Sequence, residues 1–290
     1  MQEETVSTLK EDSNQFLEEM KQDIVGKYAA FQKYQDITAK TFSVFHDICM
    51  KNQIPYYMAF GSLLGVIRDG GQIPWDYDID ILVPYSESSR LIDALDRDLP
   101  EGYHYDTRLK NKKCRHYGIK LAPEEYNCAI LHVDIFWLIG ESETEKGQKH
   151  HLMIRKLFFK KFLYKYPDTG IQSKTTKVSK AMFYFNRFRF GILPGSIIER
   201  KYLDVITTPV EEDGWCATSG REKAILRNAW FGKPIRIVLN NGQEVCVPQD
   251  TESILRSMYG DYSQYPPLKQ RIHEFEKSLS RLEKFARIKK

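Results

Sequence analysis

The chain has 290 residues, which is enough for one large domain with a full hydrophobic core. Its 42% hydrophobic and 28% charged content is typical of a globular protein, and no run reaches the ~18 apolar residues of a membrane span. The formal net charge is +4, and the polar N-terminus MQEETVSTLKEDSNQ does not resemble a secretory signal, so we expect a cytoplasmic protein.

The first part of the chain is expected to be helical. Residues 7–34 predict a weakly amphipathic helix, and residues 35–51 predict a second helix with a clear apolar stripe. The segment IPYYMAF (54–60) indicates a short buried strand. A helix then begins at Gly61 and runs to about Arg68, with a serine well placed at its start.

The next strand carries three aspartates spaced two apart, Asp76, Asp78 and Asp80. Alternate side chains of a strand lie on one face, about 6.7 Å apart, while Ile79 and Ile81 turn to the opposite, buried face. Carboxylates held this close repel one another unless a cation lies between them. Mg²⁺, a hard ion that binds oxygen and leaves room for substrate phosphates, is the natural occupant, with Mn²⁺ as the alternative. The segment therefore predicts a phosphoryl-transfer site.

Residues 86–100 predict a helix, and three strand-like segments follow at 103–107, 116–121 and 129–138. A further acid, Asp134, stands alone in the apolar run LHVDIFWLI. Burying a carboxylate there is costly without a partner, and a role as metal ligand or as general base near the metal would explain it. This order of strands and helices predicts an α/β or α+β core with helices packed on the sheet.

The five cysteines form no CxxC pair, and we expect reduced thiols. Cys114 and His116, followed by Cys128 and His132, could be combined into a zinc site. Their spacing fits no standard zinc finger, and packed cysteines with two strand histidines are the alternative.

The segment after this core is strongly basic. Residues 146–189 hold twelve Lys or Arg and one acid, a net charge of +11, interleaved with aromatics as in MFYFNRFRF. Such a surface suits polyanions, and we expect residues 146–190 to contact anionic membrane peripherally. A solubilising face over an aromatic core is the alternative. Nucleic acid is not expected as a partner, because no recognisable RNA motif accompanies the charge.

The remaining residues predict an Asn-Gly hairpin in KPIRIVLNNGQEVCVP, a helix capped by Asp250 and a basic helix at the C-terminus. We expect a single domain over residues 1–290. Its parts would be N-terminal helices (1–50), a catalytic core (51–140), a basic helical insert (141–205) and a C-terminal lobe (206–290).

A glycine-serine helix start, a DxD strand and a later lone acid form the pattern of the nucleotidyltransferase superfamily. The segment GSLLGVIRDGGQIPWDYDIDI more closely resembles the signature of the LicD family, on Gly61, Ser62, Leu64, Gly65, Arg68, Gly71, Ile73, Pro74, Trp75, Asp76, Asp78 and Asp80. VDIF (133–136) and YGDYSQYPP (259–267) resemble later signatures of the family. Tyr77 replaces an aspartate found in many members, on the face opposite the metal ligands.

The resemblance implies an α+β, nucleotidyltransferase-like mixed sheet flanked by helices. It also implies transfer of a phosphorylated alcohol from a CDP-activated donor to a sugar hydroxyl of a cell-surface glycan or its lipid-linked precursor. Phosphocholine is the transferred group that we expect.

The site residues have the following expected roles. Asp78, Asp80 and Asp134 would bind Mg²⁺ and carry out the catalysis, with Asp76 as a further ligand or as an acid that supports the ligands without touching the metal. The substrate would be held at the helix start and by the arginine and tryptophan that follow, that is, by Gly61, Ser62, Arg68 and Trp75. Two alternatives remain at this point, a nucleotidyltransferase that moves NMP from an NTP and a non-catalytic membrane- or polyanion-binding module.

Overall fold

The computed structural model of the protein describes residues 2–166, 177–220 and 224–287. The helices in these ranges are α1 (Gln2–Asn52), α2 (Phe60–Arg68), α3 (Ser88–Asp98), α4 (Glu145–Lys165), α5 (Lys177–Gly191), α6 (Gly195–Ile206), α7 (Thr251–Tyr259) and α8 (Leu268–Phe285). The strands are β1 (Tyr57–Met58), β2 (Ile79–Pro84), β3 (Tyr103–Asp106), β4 (Ile119–Pro123), β5 (Val133–Glu141), β6 (Trp215–Thr218), β7 (Ile225–Arg227), β8 (Ile235–Val238) and β9 (Glu244–Val247).

The main sheet is mixed and is centred on β5, in the order β1-β2-β5-β4-β3. β5 pairs in parallel with β2 and antiparallel with β4, and its C-terminal half pairs antiparallel with β6, which in turn pairs with β7. β8 and β9 form the predicted separate hairpin around the Asn-Gly turn. The fold is therefore the expected α+β arrangement of a mixed sheet flanked by helices.

The core surrounds this sheet, and its largest part joins the sheet to residues of α1, α3, α4 and α6. Trp137 on β5 is fully buried, and its indole N–H donates to the Tyr117 carbonyl oxygen at 2.8 Å. A second apolar cluster packs α1 and α8 around the segment between β4 and β5; it contains Phe31, Tyr77, Tyr126, Ile130, Leu131, Leu279, Leu282 and Ala286. The C-terminal helix α8 therefore covers the segment that leads into β5.

Several boundaries differ from the sequence predictions. The two predicted N-terminal helices are one continuous helix, α1, because no proline or glycine pair interrupts the chain between them. The strand predicted over 129–138 begins only at Val133, since residues 127–131 form a turn with Ile130 N–H donating to the Asn127 carbonyl oxygen. β6 and β7 were not predicted; they are too short for a period of two to be recognised.

Across residues 2–166, 177–220 and 224–287, no helix has both the length and the apolar character needed to cross a membrane.

Candidate active site

The parallel pairing of β2 and β5 places Asp80 directly opposite Asp134. Both carboxylates are half-buried, while the residues before and after each of them along the strand are buried, as the alternation of a strand requires. Asp78 lies one residue before β2 and is also half-buried. The structure thus brings the three predicted metal-binding acids to one end of two neighbouring strands.

These acids lie close enough to disturb one another's ionisation. Burial, the Asp78 carboxylate and a hydrogen bond with it raise the pKa of Asp76 to about 9. Burial, then Asp78 and Asp134, raise the pKa of Asp80 well above its ordinary value, although Lys120 acts in the opposite direction. Four carboxylates in mutual range offer an all-oxygen set of ligands, which fits Mg²⁺ or Mn²⁺. Which of them bind metal stays a prediction.

Asp134 has two partners that the sequence did not reveal. Lys120, its opposite residue on β4, donates to Asp134 Oδ2 at 3.0 Å, and His132 Nε2 lies 3.4 Å from the same oxygen. Lys120 Nζ also donates to His132 Nε2 at 2.5 Å. Burial alone would raise the pKa of Asp134, but the Lys120 ammonium outweighs it and holds the pKa below its usual value. Burial and Lys120 lower the pKa of His132, so the imidazole is neutral.

The start of α2 is packed against the acids. A Cβ on Gly61 would lie 3.2 Å from Asp76 Oδ2, so glycine leaves the space that this carboxylate occupies. The buried Ser62 hydroxyl accepts a hydrogen bond from the Asp80 N–H at 2.8 Å. Both residues therefore fix the position of the acid strand, and their predicted contact with substrate phosphate stays a prediction.

Arg68 and Trp75 lie in an aromatic cluster with the C-terminal signature. The Arg68 guanidinium makes a two-pronged ion pair with Asp69, and Nε and Nη2 each donate at 2.9 Å. The Tyr265 ring lies 4.3 Å from that guanidinium and 5.9 Å from the Trp75 ring, and its hydroxyl donates to Asp69 at 2.6 Å. Phosphate binding by Arg68 would have to compete with Asp69, and substrate roles for Arg68 and Trp75 stay predictions.

A cavity of about 310 Å³ opens beside Asp78 and Asp134. Its walls combine cations with aromatic rings. The cations come from β4, the loop before it and α8 (Lys120, Arg115 and Arg281), and the rings from β5, α4 and α6 (Phe136, Phe158 and Tyr202). Such a mixture suits a ligand with a phosphate and an apolar or cationic group.

Four residues around the acids were missed by sequence reasoning: Lys120, His132, Tyr259 and Arg281. Tyr259 lies close enough to the acids that burial, Asp80 and Asp76 raise its pKa to about 12. A lone lysine within the apolar strand IKLAP was an available signal for Lys120. No feature of the sequence pointed to Arg281, because only the packing of α8 brings this residue to the cavity.

Sequence comparisons with known proteins point to one family. The sequence model of a family described as LicD/FKTN/FKRP, nucleotidyltransferase domain, matches residues 53–178, the part that contains both acid strands. The chain is similar to the lipopolysaccharide cholinephosphotransferase LicD of Haemophilus influenzae, with 24% identity over 260 residues that cover 83% of this chain and 94% of that protein. An uncharacterised protein of Rickettsia prowazekii is 28% identical over 139 residues, 46% of each chain.

Proposed function

Starting from a chain that belongs to the LicD family and is a phosphotransferase, we propose that it transfers phosphocholine from a CDP-activated donor to a sugar hydroxyl. The acceptor would be a surface glycan such as lipopolysaccharide, or its lipid-linked precursor. The observation that carries this proposal is the register of β2 and β5, which sets Asp80 opposite Asp134 beside a cavity lined by cations and aromatic rings.

In this mechanism Asp78, Asp80 and Asp134 would hold Mg²⁺, and Asp76, whose carboxylate interacts with that of Asp78, would lie next to them. When bound, the metal would neutralise the charge that develops on the donor diphosphate. Asp134 is better suited to be a ligand than a general base, because Lys120 holds it ionised and so makes it a weak proton acceptor.

The cavity walls would bind the rest of the donor. Arg115 and Arg281 are placed to meet phosphate oxygens, and the planar guanidinium group is well shaped for that contact. The Phe136 ring also lines this cavity and is the aromatic group that a quaternary ammonium group could contact, whereas Tyr202 is stacked on Phe158. This combination favours phosphocholine over glycerol phosphate or ribitol phosphate, which lack the cation.

The test is CMP release from CDP-choline, CDP-glycerol and CDP-ribitol, each with Mg²⁺ and with EDTA. We expect metal-dependent release that is fastest from CDP-choline and is lost in Asp80→Asn. Asp96→Asn is the matched control, because Asp96 is an exposed acid on α3 that pairs with Lys110 away from the site. Pyrophosphate release from an NTP, with no CMP from any CDP donor, would instead identify a nucleotidyltransferase.

The membrane is the second partner that we propose. α5 exposes large apolar side chains along much of its length: Tyr184 is 65% exposed, Phe185 60% and Phe188 70%, and Ile192 just beyond the helix is 68% exposed. The three aromatic residues lie within the segment of net charge +11. Aromatic side chains that enter the headgroup region, flanked by cations that meet anionic lipid, favour peripheral contact with the cytoplasmic leaflet, where a lipid-linked acceptor would lie.

Vesicle sedimentation tests this contact. We expect the protein to bind phosphatidylglycerol vesicles at low salt and not phosphatidylcholine vesicles. Replacing both Phe185 and Phe188 by serine should weaken binding at least about tenfold, since each buried phenyl group contributes about 1.5–3 kcal/mol. Val238→Ser is the matched control, an equally exposed apolar residue on the β8–β9 hairpin. Equal binding by all three proteins would refute the α5 surface.

A further inference from the structure

A second group of possible metal ligands lies outside the aspartate cluster, at the end of β3 and in the loop that leads to β4. Asp106, Cys114 and His116 each present one ligand atom, and the three atoms lie within 4.8 Å of one another. Cys114 Sγ is 3.4 Å from His116 Nε2. In a tetrahedral zinc site, bond lengths near 2.3 Å to sulfur and 2.0 Å to nitrogen put these two atoms about 3.5 Å apart.

A fourth donor comes from the next loop. Cys128 lines the same cavity of about 440 Å³ as Asp106, Cys114 and His116. Its thiol donates to the Lys120 carbonyl oxygen at 2.8 Å. In the structure its Sγ lies outside the group of atoms within 4.8 Å of one another that Asp106, Cys114 and His116 form, so Cys128 would have to move closer to complete the site as the fourth ligand.

We propose that Asp106, Cys114, His116 and Cys128 form a structural zinc site. Two thiolates with an imidazole are the ligands that zinc prefers, whereas Mg²⁺ requires oxygen ligands. Four protein ligands leave no open position, which is the arrangement of a structural site and not of a catalytic one.

The charges and protons of the site balance. The His116 imidazole would bind zinc through the lone pair of one ring nitrogen. Metal binding would release the protons of the Cys114 and Cys128 thiols to solvent. Two thiolates and a carboxylate around Zn²⁺ leave a net charge of −1, and Lys113, Lys120 and Lys165 line the same cavity to offset it.

The zinc site would link two loops that support the active-site cavity. Residues 107–118 and 124–132 contain no helix and no strand of the sheet, and their backbone is held by turn and loop hydrogen bonds such as that from the Arg108 N–H to the His116 carbonyl oxygen. Arg115 lies between two of the proposed ligands and, with His116 and Lys120, also lines the cavity beside Asp134. A zinc ion here would therefore fix the wall that carries these cations without taking part in the transfer itself.

Metal content and cobalt spectroscopy test the proposal on the full chain, purified with a reductant and excess Mg²⁺. We expect about one zinc per chain by elemental analysis. After exchange with Co²⁺, we expect a near-ultraviolet thiolate-to-cobalt charge-transfer band, which carboxylates cannot produce. Cys114→Ala should lose the zinc and the band, while Asp80→Asn should keep both. The matched control Cys216→Ala removes a buried thiol on β6 and should keep both as well.

A wild-type protein with no zinc and no charge-transfer band would overturn the site, as would a band that survives in both Cys114→Ala and His116→Ala. If the Cys114 variant fails to fold, His116→Ala and the wild-type spectrum still decide. Because none of these measurements depends on turnover, a failure of the proposed transfer reaction would be seen separately.

Discussion

Asp80→Asn should abolish transfer and, unusually for a substitution within a central strand, stabilise the protein in the absence of metal. Asp80 lies opposite Asp134 across strands about 4.8 Å apart and two positions from Asp78 on the same face. At an effective dielectric constant of about 20, each such pair of like charges costs about 2.5–3.5 kcal/mol. Lys120 offsets part of this cost, and partial protonation of the cluster limits it further. We therefore expect the free energy of unfolding to rise by about 1–3 kcal/mol.

The assay is urea and thermal unfolding followed by circular dichroism, for wild type and Asp80→Asn, with EDTA and then with Mg²⁺. Without metal the variant should melt a few degrees higher, because about 1 kcal/mol corresponds to about 2–4 °C in a chain of this size. With Mg²⁺ the wild type should gain stability and the variant should not. The Ser62 hydroxyl bonds the backbone N–H of residue 80, so this contact survives the substitution.

Asp96→Asn, which removes one exposed negative charge elsewhere, should change neither quantity by more than about 0.5 kcal/mol. The reasoning is refuted if Asp80→Asn is less stable than wild type in EDTA, or if Mg²⁺ stabilises the two proteins equally.

Other substitutions test the packing around the site. Glu199→Gln should lower stability at pH 7 by about 2–3 kcal/mol, because it leaves Arg108, which Glu199 binds with both oxygens at 3.0 Å, as a buried unpaired cation. Burial opposes ionisation of Glu199, but Arg108 and other partners lower its pKa to about 2. The stability that the ionised Glu199 contributes is therefore complete above pH ~4.5 and is lost as the pH falls towards 2. Acid titrations of the Glu199→Gln variant should not show this loss of stability. Gly140→Ala should destabilise by about 1–3 kcal/mol in urea melts, since the new Cβ would lie 1.8 Å from the Pro209 carbonyl oxygen. The same change at Gly26, an exposed position of α1 with no atom within 4 Å of the new Cβ, should instead stabilise the protein by about 0.5–1 kcal/mol. Equal effects at the two glycines would contradict the close approach of the Pro209 carbonyl oxygen to Gly140.

The features that could be predicted from the sequence are those that depend on local pattern. Alternation identified the face of β2 that carries Asp80, and the Asn-Gly pair identified the β8–β9 hairpin. The motif around Gly61 correctly placed α2 before the acid strand. In each case the residues that determine the structure lie within about ten positions of one another, so periodicity and turn chemistry were sufficient.

The features that could not be predicted depend on register and on the docking of distant segments. The sequence suggested His132 as a partner of Cys114, yet the structure places Asp106 there and turns His132 towards Lys120. Arg281 reaches the active-site cavity only because α8 packs against α1. No local pattern specifies such contacts, since they form between segments that are far apart along the chain.

The expectation that the Asp134 carboxylate has a partner is confirmed, but a metal ion is not needed to explain it. A carboxylate in an apolar strand needs a partner, and the sequence offered a metal ion as the explanation. The structure supplies partners within the protein, because Lys120 donates to Asp134 at 3.0 Å and His132 lies beside them. Burial alone therefore no longer requires a metal at Asp134. The argument for a metal rests instead on Asp80, whose neighbours include three other carboxylates and for which Lys120 is the cation that offsets them. A cation bound between Asp80 and Asp134 would relieve that repulsion, which is why the stability of Asp80→Asn without metal, more than its loss of activity, tests the site.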